Sequence, residues 1–196
     1  MKKILFIDRD GTLIKEAPPE YRIDSFSKLE FYPQVFRYLG MIVREFDYTL
    51  IMVTNQDGLG NADFPVTVFQ PVHDLIIKSF ANEGIIFSAV HIDRTYPAEN
   101  KNTRKPGTGM LTAYLNDPVY DISNSFVIGD RITDMQLAKN IGCKGFWLNE
   151  DESLGAAEID NSTKELRKFT IVSESTEWAD IYNYLKALSL KKVNHS

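Results

Sequence analysis

The distribution of hydrophobic and polar residues along the chain predicts strands that alternate with helices. Short apolar runs ended by glycine or polar residues are typical of buried strands in a parallel sheet. Such runs lie at residues 3–7, 48–53, 85–92, 125–128, 145–148 and, more weakly, 169–173. Helical spacing of apolar residues predicts helices over 33–46, 67–83, 108–116, 133–141 and 178–188. The alternation predicts an α/β fold, with a mainly parallel sheet and helices on both faces.

Proline, threonine and glycine set the expected helix ends. Pro33 suits the first turn of the first helix. Pro71 lies inside the second helical pattern, so that helix is expected to start later than its apolar residues suggest. Thr108 is expected to cap the third helix, and Gly142 to end the fourth.

The length of 196 residues favours one domain with a single core. We expect this domain to span residues 1–190, followed by a disordered tail at 191–196. The polar stretch 150–168 has no role that the sequence reveals. Cys143 is expected to be a small core residue, and His91, near a strand end, to be structural.

Composition and charge argue against several classes of protein. A net charge of −5 and a pI near 5.3 do not favour nucleic acid or an anionic membrane as the main partner. No apolar run approaches the roughly 20 residues of a membrane span, and the first run is shorter than a signal peptide needs. One cysteine cannot form an intramolecular disulfide or most of a zinc site. We therefore expect a cytoplasmic protein, either a monomer or a homodimer.

Polar groups follow three of the predicted strands. Ligands of parallel sheets bind beyond the carboxyl ends of the strands, so these groups are expected to meet there. They are Asp8 and Asp10, Thr54 and Asn55, and Asp130 and Asp134. Some also have an ordinary structural explanation, because Asp-x-Asp is common in turns, Asp134 suits a helix N-terminus and Thr54 suits a strand.

A convergence of these carboxylates would require positive charge. Two like charges about 4 Å apart repel by roughly 4 kcal/mol at an effective dielectric near 20. The cluster therefore needs a cation or shared protons. Hard oxygen ligands without His or Cys favour Mg²⁺ over Zn²⁺. Lys105 is a candidate counter-charge suited to a phosphate oxygen, although a single lysine is more often solvated on the surface.

Four motifs together resemble the haloacid dehalogenase (HAD) superfamily of phosphotransferases. They are Asp-x-Asp-Gly-Thr at 8–12, Thr54-Asn55, Lys105-Pro106 and Gly129-Asp130-x-x-x-Asp134. The order and the strand-end context fit over residues 3–148. The resemblance implies a Rossmann-like fold, and the short gaps between motifs leave no room for a large cap domain.

The resemblance also implies residue roles and a Mg²⁺ cofactor. Asp8 would be the nucleophile and Asp10 the acid/base. Asp8, the Asp10 backbone carbonyl and Asp130 would hold the ion, with Asp134 supporting it. The phosphoryl oxygens would bind Thr54, Asn55 and Lys105, and the substrate body would meet Gln56 and Arg104.

Finer similarity points to the histidinol-phosphate phosphatase family. The stretches 6–14, 23–31, 54–60 and 127–131 are similar to that family. It often forms the front half of a protein whose back half is a dehydratase, and a chain of this length would be a stand-alone phosphatase. The substrate would be a small phosphorylated metabolite, histidinol phosphate.

One family feature is missing. Relatives of this type carry a zinc site with the pattern Cys-x-His and Cys-x-Cys before Arg-Lys-Pro. The corresponding residues are Asp93, Thr95, Lys101 and Thr103. These side chains do not form a tetrahedral zinc site, so we expect no zinc. The loop would then be held by packing around Tyr96 and Pro97, or by an ion pair.

Three alternatives stay open at this point. The nearest is another uncapped phosphatase of the same group, such as a heptose-bisphosphate phosphatase. A second is a phospho-acceptor receiver domain, which also pairs acidic residues with a lysine but places the acceptor on a middle strand. A third is a catalytically inactive binding module, against which the intact Asp8, Asp10, Lys105 and Asp130 argue.

Overall fold

A six-stranded sheet forms the centre of the molecule. The structure, a computed structural model, describes residues 1–19, 21–148 and 161–193. Strands β1 to β6 are Lys3–Ile7, Tyr48–Asn55, Phe87–Asp93, Phe126–Gly129, Lys144–Leu148 and Ile171–Ser175. They lie in the order β3-β2-β1-β4-β5-β6, and every pairing is parallel. The predicted parallel sheet is confirmed, and β1, which carries Asp8 at its end, lies between β2 and β4.

Helices pack on both faces of the sheet. Helices α1 to α6 are Val35–Glu45, Val66–Asn82, Thr112–Leu115, Ile132–Ile141, Asn161–Phe169 and Trp178–Val193. Leu5 and Ile7 of β1 pack with residues of α1, α2 and α6. Ile4 and Phe6, which alternate with them, pack on the opposite face with residues of α4. Burial on both faces explains why the central strands are continuous apolar runs.

Two predicted helix starts differ from the structure. Helix α1 begins at Val35, because Gln34 has left-handed backbone angles (φ 57°) that keep Pro33 out of the helix. Helix α2 begins at Val66 and contains Pro71, so the expected later start was wrong. The missing N–H of Pro71 removes one helical hydrogen bond, a loss that the buried face of α2 offsets.

The third helix is much shorter than predicted. A 3-10 turn at Gly109–Leu111 precedes α3, and the side chain of Thr108 makes no capping hydrogen bond. The N–H of Thr108 instead donates to Asn102 Oδ1 at 3.3 Å, which ties this residue to the preceding loop. Gly142 ends α4 with φ 82°, as predicted.

The described part of the C-terminal region includes a helix that was not predicted. Helix α5 occupies part of the polar stretch 150–168, of which residues 150–160 lie outside the described residues. Helix α6 extends to Val193, so the first residues of the predicted tail are helical, and 194–196 lie outside the described residues. No cap domain covers the strand ends in the described ranges, and none of the helices there is long and apolar enough to cross a membrane.

Two residues predicted to be structural lie in the core or at its edge. Cys143 is buried beside the apolar residues that pack on α4. His91 on β3 forms a 2.9 Å hydrogen bond with the hydroxyl of Tyr114.

Candidate active site

The carboxyl ends of β1, β2 and β4 meet at an open cleft of about 840 Å³. Eight of the nine predicted site residues line it: Asp8, Asp10, Thr54, Asn55, Gln56, Arg104, Lys105 and Asp130. The ninth, Asp134, is buried behind this lining. The carboxyl ends of the parallel strands therefore bring together residues that are more than 100 positions apart in the sequence.

A buried lysine joins two of the carboxylates. Lys105 Nζ lies 2.7 Å from Asp8 Oδ1 and 2.7 Å from Asp134 Oδ1. Oxygens of Asp8, Asp130 and Asp134 all lie within 4.8 Å of one another. Lys105 and Asp8 are both more than 90% buried, so Lys105 is not the solvated surface lysine that its sequence context also allowed.

Burial and mutual repulsion perturb the ionisation of this cluster. Burial raises the pKa of Asp8 to about 7, although Lys105 partly offsets the rise. Burial and the charges of Asp8 and Asp134 raise the pKa of Asp130 well above its ordinary value. Burial alone would lower the pKa of Lys105, but the carboxylates of Asp134 and Asp8 raise it. Lys105 therefore stays protonated between Asp8 and Asp134, and one ammonium group does not balance the three carboxylates of the cluster when they are ionised.

Two glycines allow the carboxylates to approach so closely. Gly11 has φ +72°, and a Cβ at this position would lie 2.2 Å from Asp130 Oδ2. A Cβ at Gly129 would lie 2.2 Å from Asp134 Cγ. Both distances are far below van der Waals contact, so the glycines that follow β1 and end β4 are required by the site.

Asp134 stabilises a helix start, one of the roles that the sequence allowed, and it also contacts Lys105. Its Oδ2 accepts a hydrogen bond from the backbone N–H of Arg131 at 3.1 Å, which stabilises the start of α4. Its Oδ1 binds Lys105. Asp134 therefore couples the position of Lys105 to that of α4.

The cluster fits a divalent cation with a preference for oxygen ligands. Asp130 Oδ1 is buried and has no hydrogen-bond partner among the described residues. When ionised, Asp8, Asp10, Asp130 and Asp134 carry two negative charges more than Arg9 and Lys105 neutralise. Oxygen donors of this type match Mg²⁺.

Asp10 is held apart from the other carboxylates. Arg9 Nη2 lies 2.9 Å from Asp10 Oδ1, and Gln56 Nε2 donates to Asp10 Oδ2 at 2.6 Å. Gln56 Nε2 also donates to Thr54 Oγ1 at 2.9 Å, and Arg9 Nη2 donates to Gln56 Oε1 at 3.2 Å. The Asp10 carboxylate therefore has a defined orientation, set by two neighbours.

Arg9 is a site residue that the sequence did not reveal. It is fully buried, with its guanidinium 4.7 Å from the ring centre of Phe69 on α2. That ring stacks on His73 at 5.1 Å. Burial, and then the charge of Arg9, lower the pKa of His73 to about 4, so this histidine stays neutral at physiological pH. The one available signal was the position of Arg9 between two aspartates after a buried strand.

Asn55 and Arg104 are engaged with the protein itself. Asn55 Oδ1 accepts from Lys105 N–H at 3.1 Å, and its Nδ2 donates to the Lys105 carbonyl at 3.3 Å. Arg104 binds both carboxylate oxygens of Asp57, with the shorter distance 2.5 Å. Both residues thus position the segment that carries Lys105.

The outer rim of the cleft includes residues that the sequence did not single out. Glu16, Tyr21 and Arg131 line one part of it. Arg131 Nη2 lies 2.6 Å from Glu16 Oε1, so the charges of this pair balance. Tyr96, which the sequence predicted only to pack within the loop after β3, also lines the cleft.

Comparison with known protein sequences identifies relatives of this chain. A HAD-hydrolase-like family model matches residues 102–168. The chain is 56% identical over 153 residues to "Histidine biosynthesis bifunctional protein HisB" of Bacteroides fragilis, an alignment that covers 78% of this chain and 41% of that protein. It is 46% identical over 189 residues to the HisB protein of Spirosoma linguale, covering 95% of this chain and 49% of that protein. The chain thus spans about half the length, or less, of the curated relatives it matches.

A solved structure shares the fold. It is D,D-heptose 1,7-bisphosphate phosphatase from B. bronchiseptica, determined with magnesium and phosphate. The TM-score is 0.76 at 21% identity, covering 95% of this chain and 99% of that one. The solved structure shows a shared fold, and the family model together with the HisB relatives shows that the chain belongs to the HAD superfamily of hydrolases.

Proposed function

We propose that this chain is a magnesium-dependent phosphomonoester hydrolase that forms a covalent phosphoryl intermediate on Asp8. The observation that carries the proposal is the buried Lys105 ammonium, 2.7 Å from Asp8 and 2.7 Å from Asp134. It lies beside Asp130, whose buried oxygen has no partner among the described residues. This arrangement offers a nucleophile, a cation for a phosphoryl oxygen and ligands for a metal ion in one place.

The reaction proceeds in two displacements at phosphorus. In the first, a carboxylate oxygen of Asp8 attacks phosphorus, the ester P–O bond breaks, and Asp10 gives its proton to the leaving alkoxide. In the second, Asp10 takes a proton from a water molecule whose oxygen attacks phosphorus, and the Asp8–phosphorus bond breaks. Lys105 stabilises the equatorial oxygens in both steps.

The acidic cluster would hold the Mg²⁺ ion through Asp8, Asp130 and the Asp10 backbone carbonyl, with Asp134 supporting it. When bound, the ion neutralises charge on the phosphoryl oxygens. Acid/base catalysis by Asp10 contributes about 10²–10⁴-fold. Uncatalysed hydrolysis of phosphate monoesters requires accelerations of up to about 10²¹, so charge stabilisation and alignment supply most of the effect.

The proposed substrate is histidinol phosphate, which is hydrolysed to histidinol and phosphate. The support is the 46–56% identity to proteins named for histidine biosynthesis. A second candidate is a sugar bisphosphate, because the fold resembles a heptose-bisphosphate phosphatase. That likeness is at 21% identity and concerns the fold, so histidinol phosphate is the stronger candidate.

Phosphate release with Mg²⁺ tests this function across histidinol phosphate, a heptose bisphosphate and simple phosphomonoesters. We expect kcat/KM for histidinol phosphate to exceed that of the other compounds by at least about 100-fold, since buried polar groups discriminate strongly. A preference for the bisphosphate would replace the proposed substrate. Stable phosphorylation of Asp8 without turnover would favour a receiver-like role and contradict hydrolysis.

The hydrogen bond from Gln56 to Asp10 gives a further prediction. Gln56→Met keeps the length of the side chain but removes the 2.6 Å bond that orients the Asp10 carboxylate. We expect kcat to fall roughly 10-fold with KM little changed, because Asp10 transfers its proton in the transition state. Steady-state phosphate release measures both constants.

Gln70→Met is the matched control, because Gln70 lies on the exposed side of α2 and binds Asp74 there at 2.7 Å. The control is expected to keep wild-type kcat and KM. Equal kinetics in the Gln56→Met variant would show that Arg9 alone suffices to orient Asp10.

A further inference from the structure

The carboxylate of Asp93 gathers hydrogen bonds from both ends of the loop that follows β3. Its Oδ1 accepts from the Thr95 N–H at 2.9 Å and from the Thr95 hydroxyl at 2.5 Å. Its Oδ2 accepts from the Thr103 hydroxyl at 2.5 Å. Asp93 is only 4% exposed. We call these three residues the Asp93 cluster.

The Asp93 cluster is anchored to the sheet beside the candidate active site. Asp93 is the last residue of β3 and lies opposite Asn55 in the β2–β3 register. Its backbone carbonyl accepts a hydrogen bond from Gln56 N–H at 2.7 Å. At the other end, Thr103 precedes Lys105 by two residues. The cluster therefore ties the segment that delivers Lys105 to the strand end next to Asn55.

Arg104 also stabilises this loop, through contacts on its other side. Its Nη1 donates to the Thr95 carbonyl at 2.7 Å as well as to Asp57. Its backbone N–H donates to the Lys101 carbonyl at 3.1 Å. The loop is thus held by hydrogen bonds and an ion pair, which agrees with the ion-pair alternative expected from the sequence rather than with packing alone.

The members of the Asp93 cluster occupy three of the four positions at which zinc-bearing relatives were expected to place ligands. The fourth, Lys101, takes part through its carbonyl. Burial alone would raise the pKa of Asp93, but the hydrogen bonds from Thr103 and Thr95 lower it below its ordinary value. Asp93 is therefore an ionised acceptor at neutral pH, and such charge-assisted hydrogen bonds are about twice as strong as neutral ones.

We propose that the Asp93 cluster positions Lys105 without a metal ion. The two threonine hydroxyls donate to the Asp93 carboxylate and so connect the two ends of the loop. The inference rests on the proposed function, because it is Lys105 that would bind the transferring phosphoryl group. It makes Asp93, Thr95 and Thr103 positioning residues, since they act through Lys105 and not on the substrate.

Thr103→Val tests the proposal, because valine has the shape of threonine and lacks the hydroxyl. We expect kcat/KM for the preferred phosphomonoester to fall about 10-fold, and the inhibition constant for inorganic phosphate to rise by a similar factor. Thr103→Ser, which keeps the hydroxyl, is expected to restore both constants. Thr112→Val is the control, because the Thr112 hydroxyl makes one long contact at 3.4 Å to Gly109.

Amide hydrogen exchange tests whether the Asp93 cluster holds the loop, without any activity measurement. The N–H groups of Thr95 and Arg104 donate within the loop, and both are expected to exchange faster in Thr103→Val than in the wild type. If the wild type hydrolysed no phosphomonoester, the proposed function would fail while this measurement still decided whether the cluster closes the loop.

Three results would overturn the inference. Unchanged exchange in Thr103→Val would show that the cluster does not hold the loop. Faster exchange with wild-type kcat/KM and phosphate inhibition would show that the loop does not position Lys105. One tightly bound zinc per chain, detected by elemental analysis of the purified wild type, would show that a metal does this work.

Discussion

Replacing Asp8 with Asn is expected to lower phosphate release by about 10⁴-fold or more, because the variant has no carboxylate to attack phosphorus. Loss of a nucleophile cannot be compensated by the acid/base group, so neither more substrate nor more Mg²⁺ is expected to restore turnover. Acid quenching during turnover is expected to trap phosphate on the wild-type chain and not on the variant. Peptide mapping would assign the modified residue to Asp8.

The Asp8→Asn variant is expected to fold at least as stably as the wild type. Asn has the same size, and the Lys105 ammonium retains its 2.7 Å contact to Asp134. The substitution also removes one buried charge from a cluster in which burial and repulsion disfavour ionisation. Thermal denaturation of both proteins would separate a catalytic loss from unfolding.

Asp117→Asn serves as the matched control, since the exposed Asp117 carboxylate accepts a backbone hydrogen bond from Val119 and does not line the cleft. It is expected to keep full turnover. Wild-type turnover in Asp8→Asn would eliminate covalent catalysis by this residue and leave direct attack by water as the mechanism to consider.

The sequence was sufficient to locate the carboxylate cluster because the strand ends and the glycines that form it are local features of the sequence. The apolar runs of β1 and β4 end directly before Asp8 and Asp130, and the parallel topology brings such ends to one edge. The glycines after β1 and at the end of β4 are visible in the sequence as well. Their spatial role, which is to leave room for Asp130 and Asp134, depends on how the strand ends pack together and not on the local sequence.

The partners of Asp10 were not predictable in the same way. Alternation along a strand places Arg9 on the side opposite to Asp8, but β1 ends at Ile7 and the chain then turns. The guanidinium of Arg9 packs on Phe69, a contact set by where α2 crosses the sheet and not by any local pattern. Arg9 and Gln56 meet at Asp10 from two separate strand ends.

Helix α5 was missed because it is mostly polar. The described part of its sequence contains one fully buried large apolar residue, Leu166, which packs against Trp147. One such residue in nine gives no helical period to detect, so tertiary packing determines the helix. The Asp93 cluster was hidden for a related reason, since Asp and Thr residues ten positions apart carry no sequence signature of a shared carboxylate.

Removal of Mg²⁺ is expected to abolish turnover and to change how stability depends on pH. Excess chelator should lower phosphate release by about 10³-fold or more, which corresponds to the several kcal/mol that a metal ion contributes to charge stabilisation. Added Mg²⁺ should restore the activity, whereas added Zn²⁺ should not, because the cluster consists of carboxylates alone. Full activity in chelator would contradict the proposed cofactor.

The stability effect follows from the raised pKa values in the metal-free protein. A rise in the pKa of Asp8 from 3.8 to about 7 means that the folded state binds this proton more tightly than the unfolded state. Its contribution to stability is therefore fully present below about pH 4 and is lost as the pH rises through 7. The loss is on the order of 4 kcal/mol, and Asp130 acts in the same direction. The pKa of Lys105 is raised from 10.5, so this residue stays charged and contributes no slope between pH 4 and 8.

Mg²⁺ binding is expected to offset this loss, because the ion stabilises the ionised carboxylates that burial disfavours. The increase in Tm on adding Mg²⁺ should therefore be small near pH 5 and large near pH 8. Asp130→Asn should make the metal-free protein more stable near pH 8 and remove most of the increase, since Asp130 Oδ1 is the buried oxygen without a partner among the described residues. An increase in Tm that is equal at both pH values, or that survives in Asp130→Asn, would show that the ion binds elsewhere, because only a ligand held by these carboxylates competes with their protons.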